Sequence, residues 1–272
     1  MMNGGRKKKM ALLHVDFFSE VLEKCTSMDV ILPQNTKNQI GLKGNARNGK
    51  YKTAYLLHGM SDDQTIWQRR TSIERYVSEY GIAVVMPDGG LSFYTDMCYG
   101  LPYWTFFSVE LPKICREFFP QMSDRKEDTL AAGVSMGGYG AWKLGLGASE
   151  TFGAAAALSG VLDVSRRLKE KTANPVQKPS GFWEGIFGDP DGIEGSFNDL
   201  KYLARRLKEE RKPVPRLFSW CGEEDFLYQN NIDMWQEMKS LGYIVEARSG
   251  KGDHQWKYWD QEIQTILKWW ME

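Results

Sequence analysis

Between Leu130 and Trp142 the hydrophobic period changes from two to about four with no loop between. Leu130-Ala-Ala-Gly133-Val-Ser135-Met-Gly137-Gly138-Tyr-Gly-Ala-Trp142 reads as an apolar strand running through G-x-S-x-G directly into a helix. A strand that feeds a helix at once belongs to a β-α unit, and the same alternation recurs along the chain. Apolar strands are expected at Tyr51–Leu57, Ile82–Met86, Thr129–Val134, Phe152–Leu158, Arg216–Cys221 and Ile244–Arg248. Helices are expected at Trp67–Glu79, Val109–Phe119, Met136–Leu146, Ile232–Leu241 and Trp256–Trp270. Strands apolar on both faces and separated by helices predict an α/β fold: a mostly parallel central sheet with helices on both faces. Two β-rich stretches before the first unit, His14–Leu22 and Met28–Leu32, predict an antiparallel N-terminal hairpin at one edge. The Asn-, Gly- and Lys-rich stretch 34–50 reads as a hairpin or flexible loop.

At 272 residues the chain fits one such domain over residues 10–272, with residues 1–9 read as a disordered extension. One interval breaks the rhythm. No strong strand pattern appears over 160–213, yet Phe182, Trp183, Ile186 and Phe187 cluster between Pro179 and Pro190, which predicts a helical, cap-like excursion over the sheet edge. Thirty-five basic residues against thirty-five acidic ones leave a formal charge of zero, against a nucleic-acid partner. No apolar run reaches membrane-spanning length, and the apolar stretch after Lys9 ends at His14 and Asp16, too early for a signal peptide, so a cytoplasmic protein without a membrane partner is expected. Cys25, Cys98, Cys115 and Cys221 lie far apart with no ligand spacing, so no metal site is expected.

The G-x-S-x-G junction has a chemical reason. Forcing strand into helix puts Ser135 on a tight turn that exposes its hydroxyl, and crowding there excludes side chains at Gly133 and Gly137. The first helical N–H, on Met136, lacks an intrahelical acceptor and can meet an oxyanion formed beside Ser135. A serine hydroxyl needs a base. Of three histidines only His254 follows Ser135, as the Ser…Asp/Glu…His order of this turn type requires, and it lies in a glycine-rich loop between the last strand and the last helix. The orienting carboxylate is expected after strand Arg216–Cys221, at Asp225, with Glu224 in reserve. A second oxyanion donor is expected from Met60, less well from Gly59, after the His58-Gly59 pair; His58 then supports that loop by hydrogen bonding. Trp67, Tyr94, Trp183 and Phe226 are candidates for the pocket wall. No phosphate-binding glycine motif occurs, so no nucleotide cofactor is expected.

These residues resemble a known family. LLHGM at 56–60, the Trp-x-x-Arg-Thr-x-x-Glu-Arg of 67–75, VVMPD at 84–88, YTDMCYG at 94–100, GVSMGGYGAWKL at 133–144, the FW and FGD of 182–189, WCGEEDFLY at 220–228 and GDHQWKYW at 252–259 resemble the esterase D family, and within it most of all the bacterial tributyrin esterases. The resemblance implies an α/β-hydrolase fold, a cytoplasmic location, no cofactor, and a small acyl ester as substrate, with acetyl to butyryl groups transferred to water. It implies Ser135 as nucleophile, Asp225 as acid and His254 as base, with backbone donors at Met60 and Met136, and it allows a homo-oligomer. One branch of the family hydrolyses S-formylglutathione and typically carries Leu-Thr-Cys after the H-G pair, where this chain has Met60-Ser-Asp-Asp, so thioester hydrolysis ranks second. Acyl transfer to an alcohol acceptor is the remaining alternative.

Overall fold

The computed structural model describes residues 7–36, 49–169 and 178–272. Eight strands form one sheet in the order β1-β2-β4-β3-β5-β6-β7-β8. They are β1 (Lys7–Ser19), β2 (Lys24–Thr36), β3 (Thr53–Leu57), β4 (Ala83–Pro87), β5 (Thr129–Val134), β6 (Ala154–Leu158), β7 (Arg216–Gly222) and β8 (Val245–Gly250). β1 and β2 pair antiparallel, and β2 pairs antiparallel with β4. Every pairing from β4 through β8 is parallel.

The helices are α1 (Ile66–Arg70), α2 (Ile73–Ser78), α3 (Tyr103–Thr105), which runs through a π-helical turn at Phe106–Glu110 into α4 (Leu111–Phe118), α5 (Met136–Gly147), α6 (Val164–Lys169), α7 (Phe182–Phe187), α8 (Leu200–Glu209), α9 (Tyr228–Ser240) and α10 (Trp256–Met271). The strands sort their side chains strictly. Ala54, Leu56, Val84, Met86, Leu130 and Ala132 join a cluster with α1, α2 and α10. Tyr55, Leu57, Ala83, Val85 and Ala131 point the other way, into a cluster with α4, α5, α8 and α9. Central strands with both faces buried account for their unbroken apolar runs.

Three expectations change. The hairpin strands are longer than their apolar patterns, thirteen residues each. They turn at 20–23, so Leu22 lies in the turn and the backbone of Lys7–Lys9, read as disordered extension, pairs with Gln34–Thr36. Glu110 holds that turn by accepting from the N–H groups of Glu20 and Val21. The helix expected over 67–79 is two helices, because the Thr71 hydroxyl donates to the Trp67 carbonyl and accepts from the Ile73 N–H, replacing helical bonds. The third concerns the 160–213 excursion. Cys98 and Tyr99 donate backbone bonds to Ile186 and Gly185, and Trp183 packs on Phe93, so α7 lies over the carboxyl ends of the central strands and not at the sheet edge. Of the other stretches named above, residues 1–6, 37–48 and 170–177 lie outside the described residues.

Candidate active site

Ser135 sits between β5 and α5 with φ 55° and ψ −116°, a conformation a non-glycine residue holds only under constraint. Three contacts supply the constraint. The Ser135 N–H donates to the Leu158 carbonyl at 2.9 Å, and its carbonyl accepts from Gly138 and Val161. A Cβ on Gly133 would lie 2.3 Å from the Gly137 carbonyl oxygen, and one on Gly137 would lie 2.3 Å from the Leu57 carbonyl oxygen. Both positions therefore exclude any side chain. The Gly137 contacts also bring the start of α5, next to Met136, against the end of β3 and the His58 carbonyl.

The loop after β3 is ordered by His58. The His58 Nε2 accepts from the Gly89 N–H at 2.8 Å, so the ring proton is on Nδ1 and is donated to the Gly59 carbonyl at 2.8 Å. His58 is buried and fully used by the backbone. It shapes the loop that presents Met60.

At the other end of the sheet's carboxyl face, the His254 Nδ1 meets the Asp225 Oδ2 at 2.8 Å. The Asp225 side chain is wholly buried, and its Oδ1 accepts from the Leu227 N–H at 2.9 Å. Glu224, the reserve, turns away: its carboxylate accepts from the Gly252 N–H and its own N–H donates to the Gly252 carbonyl, pinning the loop that carries His254. The imidazole lies between the Phe226 ring, 4.6 Å away, and the edge-on Trp259 ring, 4.8 Å away. A ring so packed and bonded at Nδ1 has one orientation, with Nε2 left to accept a proton.

Ser135 and His254 line one cavity of about 250 Å³ together with Met60, Ser61, Phe93 and Phe226. Its remaining wall is Val161, Val164, Arg167, Leu168 and Trp183, all from the excursion. Of the four pocket candidates, Trp183 and Phe226 line this cavity. Trp67 and Tyr94 do not. Trp67 is fully buried on the opposite face of the sheet, its indole N–H donating to the Leu57 carbonyl and its ring against Trp256. Tyr94 is fully buried behind the wall, its hydroxyl donating to the His58 carbonyl, and burial pushes that hydroxyl's pKa well above its ordinary value. Its neighbour Phe93 reaches the cavity instead, because both residues take left-handed φ values, 51° and 52°. Arg167 carried no signal in its sequence setting; its guanidinium packs 5.3 Å from the Phe226 ring. Among the described residues no group of acidic, histidine and cysteine side chains could hold a metal ion. Cys221, beneath the site, has its thiol pKa pushed up by burial and by Asp225, which keeps it out of nucleophilic chemistry.

A hydroxyl on a strained turn, an oriented imidazole and a buried carboxylate together are the equipment of acyl transfer. The family model described as "Putative esterase" matches residues 19–270. The chain belongs to this esterase family. It is similar to an acetyl esterase of Caldicellulosiruptor saccharolyticus, 31% identical over 96% of this chain and 98% of the relative. Among solved structures it is similar to FphF, a fluorophosphonate-binding serine hydrolase of Staphylococcus aureus, with a TM-score of 0.85 and 32% identity over 97% of this chain and 99% of that one. The S-formylglutathione hydrolase FrmB of Staphylococcus aureus matches with a TM-score of 0.83 and 33% identity, at the same coverage. The esterase is therefore a serine hydrolase of α/β-hydrolase fold, as its sheet order and helix layers require. None of its described helices is long and apolar enough to cross a membrane.

Proposed function

We propose that the esterase hydrolyses short-chain acyl esters, acetyl to butyryl, as members of the tributyrin esterase group within the esterase D family do. The observation that carries the reading is His254, bonded to the buried Asp225 carboxylate and lining with Ser135 one small, mostly apolar cavity. His254 Nε2 takes the hydroxyl proton as Ser135 Oγ bonds to the ester carbonyl carbon. Asp225 holds the imidazole tautomer and stabilises the imidazolium. The oxyanion accepts from the backbone N–H groups of Met60 and Met136, each such donor lowering the barrier by about 3 kcal/mol. His254 then protonates the leaving alcohol as its C–O bond breaks. Water repeats the sequence and releases the acid and free Ser135. No cofactor enters.

The cavity size, about 250 Å³ with Leu168, Trp183 and Phe226 in its lining, supports the short acyl group. We place the protein in the cytoplasm: Cys25, Cys98, Cys115 and Cys221 are all free thiols. The test is initial rates on p-nitrophenyl acetate, butyrate and octanoate and on S-formylglutathione, with Ser135→Ala as blank. We expect rates highest at two to four carbons and a loss on the order of 10⁶-fold in kcat for Ser135→Ala. A dominant S-formylglutathione rate would move the reading to thioester hydrolysis, the activity named for the FrmB structure. Turnover that survives Ser135→Ala would end it.

A further inference from the structure

Lys143 lies two turns into α5, has no exposed surface, and takes no part in the reaction above. Its Nζ donates to Thr95 Oγ1 at 2.6 Å and to Asn198 Oδ1 at 2.7 Å. The rings of Trp104, Tyr139 and Phe197 surround it, their centroids 5.3, 5.6 and 5.6 Å away. Both acceptors are neutral. An ammonium group taken out of water without a bonded carboxylate is costly, and a methionine would fill the same space at no such cost. What methionine could not do is donate two directed hydrogen bonds.

Those bonds join three segments far apart in sequence. Thr95 follows Phe93 and Tyr94, two consecutive left-handed residues, in the loop after β4, where Ser92 bonds the backbone of Gly89, Tyr94 and Thr95 while the Thr95 hydroxyl is met by Lys143 and Asn198 from other segments. Asn198 lies in the excursion, just before α8. The two acceptors also meet each other, Thr95 Oγ1 to Asn198 Oδ1 at 3.1 Å, and one helical turn before Lys143 the Tyr139 hydroxyl donates to the Asn198 carbonyl at 2.8 Å. The helix that begins at Ser135 thus grips both the β4 loop and the excursion. Phe93 transmits that grip to the cavity: it lines the wall and packs at 5.5 Å against both Trp183 and Phe187 of α7.

We propose that Lys143 is a positioning residue that holds Thr95 and Asn198 to α5, and so fixes the Phe93–Trp183 wall that limits the length of the acyl group. This rests on the acyl-esterase reading above. A merely structural lysine would, on removal, lower the folded fraction and reduce all substrates alike. A positioning lysine changes their ranking.

The experiment compares kcat and KM on p-nitrophenyl butyrate and octanoate for the wild type, Lys143→Met and Thr95→Val, with the labelling rate of Ser135 by a small fluorophosphonate as a measure of intact chemistry. The octanoate-to-butyrate ratio of kcat/KM is expected to rise at least fivefold in Lys143→Met and at least twofold in Thr95→Val, chiefly through KM for octanoate, with labelling within twofold of wild type. If Lys143→Met does not fold, Thr95→Val and Asn198→Leu carry the test, each removing one acceptor and leaving the lysine in place. Unchanged ratios in folded variants overturn the assignment to Lys143 and leave the esterase reading intact. A wild type inactive on both esters overturns the esterase reading itself, and the proposal with it.

Discussion

The two walls of the cavity are held by different physics. On one side, the turn that carries Ser135 is fixed by backbone against backbone: Gly137 leaves no room for a single carbon beside the Leu57 carbonyl, and the Ser135 N–H is bonded to Leu158. On the other side, α6 and α7 present Val164, Leu168 and Trp183 mainly through side-chain contacts, ring on ring with Phe93 and Phe187, with two backbone bonds from Cys98 and Tyr99 at the far end of α7. Steep repulsion tolerates no variation, whereas apolar packing can be rebuilt with other side chains of similar volume. The first wall suits chemistry, which fails with a displacement of about 1 Å. The second suits selection, which can be retuned without touching the reacting atoms.

The sharpest way to break this contrast is Gly137→Ala. Its Cβ would sit 2.3 Å from the Leu57 oxygen and 2.7 Å from the His58 oxygen, so α5 must back away from the end of β3. That movement separates the Met136 N–H from the loop that carries Met60. On the proposed role of the Met136 N–H as an oxyanion donor, which would act mainly in the transition state, kcat is expected to fall by about 100-fold or more with KM changed much less. Stopped-flow or steady-state kinetics on p-nitrophenyl butyrate, with circular dichroism to confirm folding, would check it. A folded Gly137→Ala with near wild-type kcat would show that the turn is not the rigid wall described here.

The same contrast explains what could be read from the chain in advance. The turn was legible because its cause is local: glycines two residues either side of a serine, between a strand and a helix, restate a steric rule. His254 was legible by elimination, since His14 and His58 both precede the turn. The structure shows His14 on the hairpin bonded to Asp29 and His58 spent on Gly59 and Gly89. Asp225 and Glu224 could be separated only by geometry, one buried against His254 and the other pinning Gly252. The pocket wall was half legible. Trp67 and Trp183 look alike as aromatic residues in helical surroundings, yet Trp67 packs on the α10 face and Trp183 over the strand ends. Nothing within a few residues of either tells which layer its helix joins. Phe93 and Tyr94 exchange places because two positive φ angles reverse which of them points inward. Arg167 reaches the cavity only through the path of α6, which local pattern does not encode.

Trp183→Ala probes the second wall and should have a smaller effect of a different kind. Its ring is half-buried, packed on Phe93, Phe182 and Phe187, and it makes no hydrogen bond to the Asp225–His254 pair. Removing it enlarges the cavity and loses contact with the acyl chain. We expect KM for butyrate to rise by about three- to tenfold, at the low end of the ~1–3 kcal/mol by which apolar pockets discriminate, and octanoate to gain relative to butyrate. Fluorophosphonate labelling of Ser135 should stay close to wild type. A drop in kcat as large as that of Gly137→Ala would erase the distinction between the walls.

The finest distinction is in pH. The contacts that hold the Ser135 turn involve no titratable group, whereas the bonds joining the excursion to α5 run through Lys143. Burial pushes the Lys143 pKa down to about 7, with the nearby Asp96 carboxylate opposing the shift. Unfolded, the same lysine holds its proton to about pH 10. Between those limits the unfolded chain binds a proton that the folded chain lacks, so this group makes stability rise with pH, by up to about 1.4 kcal/mol per pH unit. The buried hydroxyls of Tyr94 and Tyr139 have raised pKa values and act in the opposite sense at higher pH, so the slope has to be read as a difference between proteins that share them. Urea unfolding of wild type and Lys143→Met at pH 7, 8 and 9 isolates it: the wild type should gain on the variant by about 2 kcal/mol across that span. Parallel curves would show that Lys143 keeps its proton throughout. The octanoate-to-butyrate ratio of the wild type should not follow this slope, because a neutral amine still has two N–H groups for its two acceptors, Thr95 and Asn198. The excursion would then be tied less or more firmly as pH changes while the wall it sets stays in place.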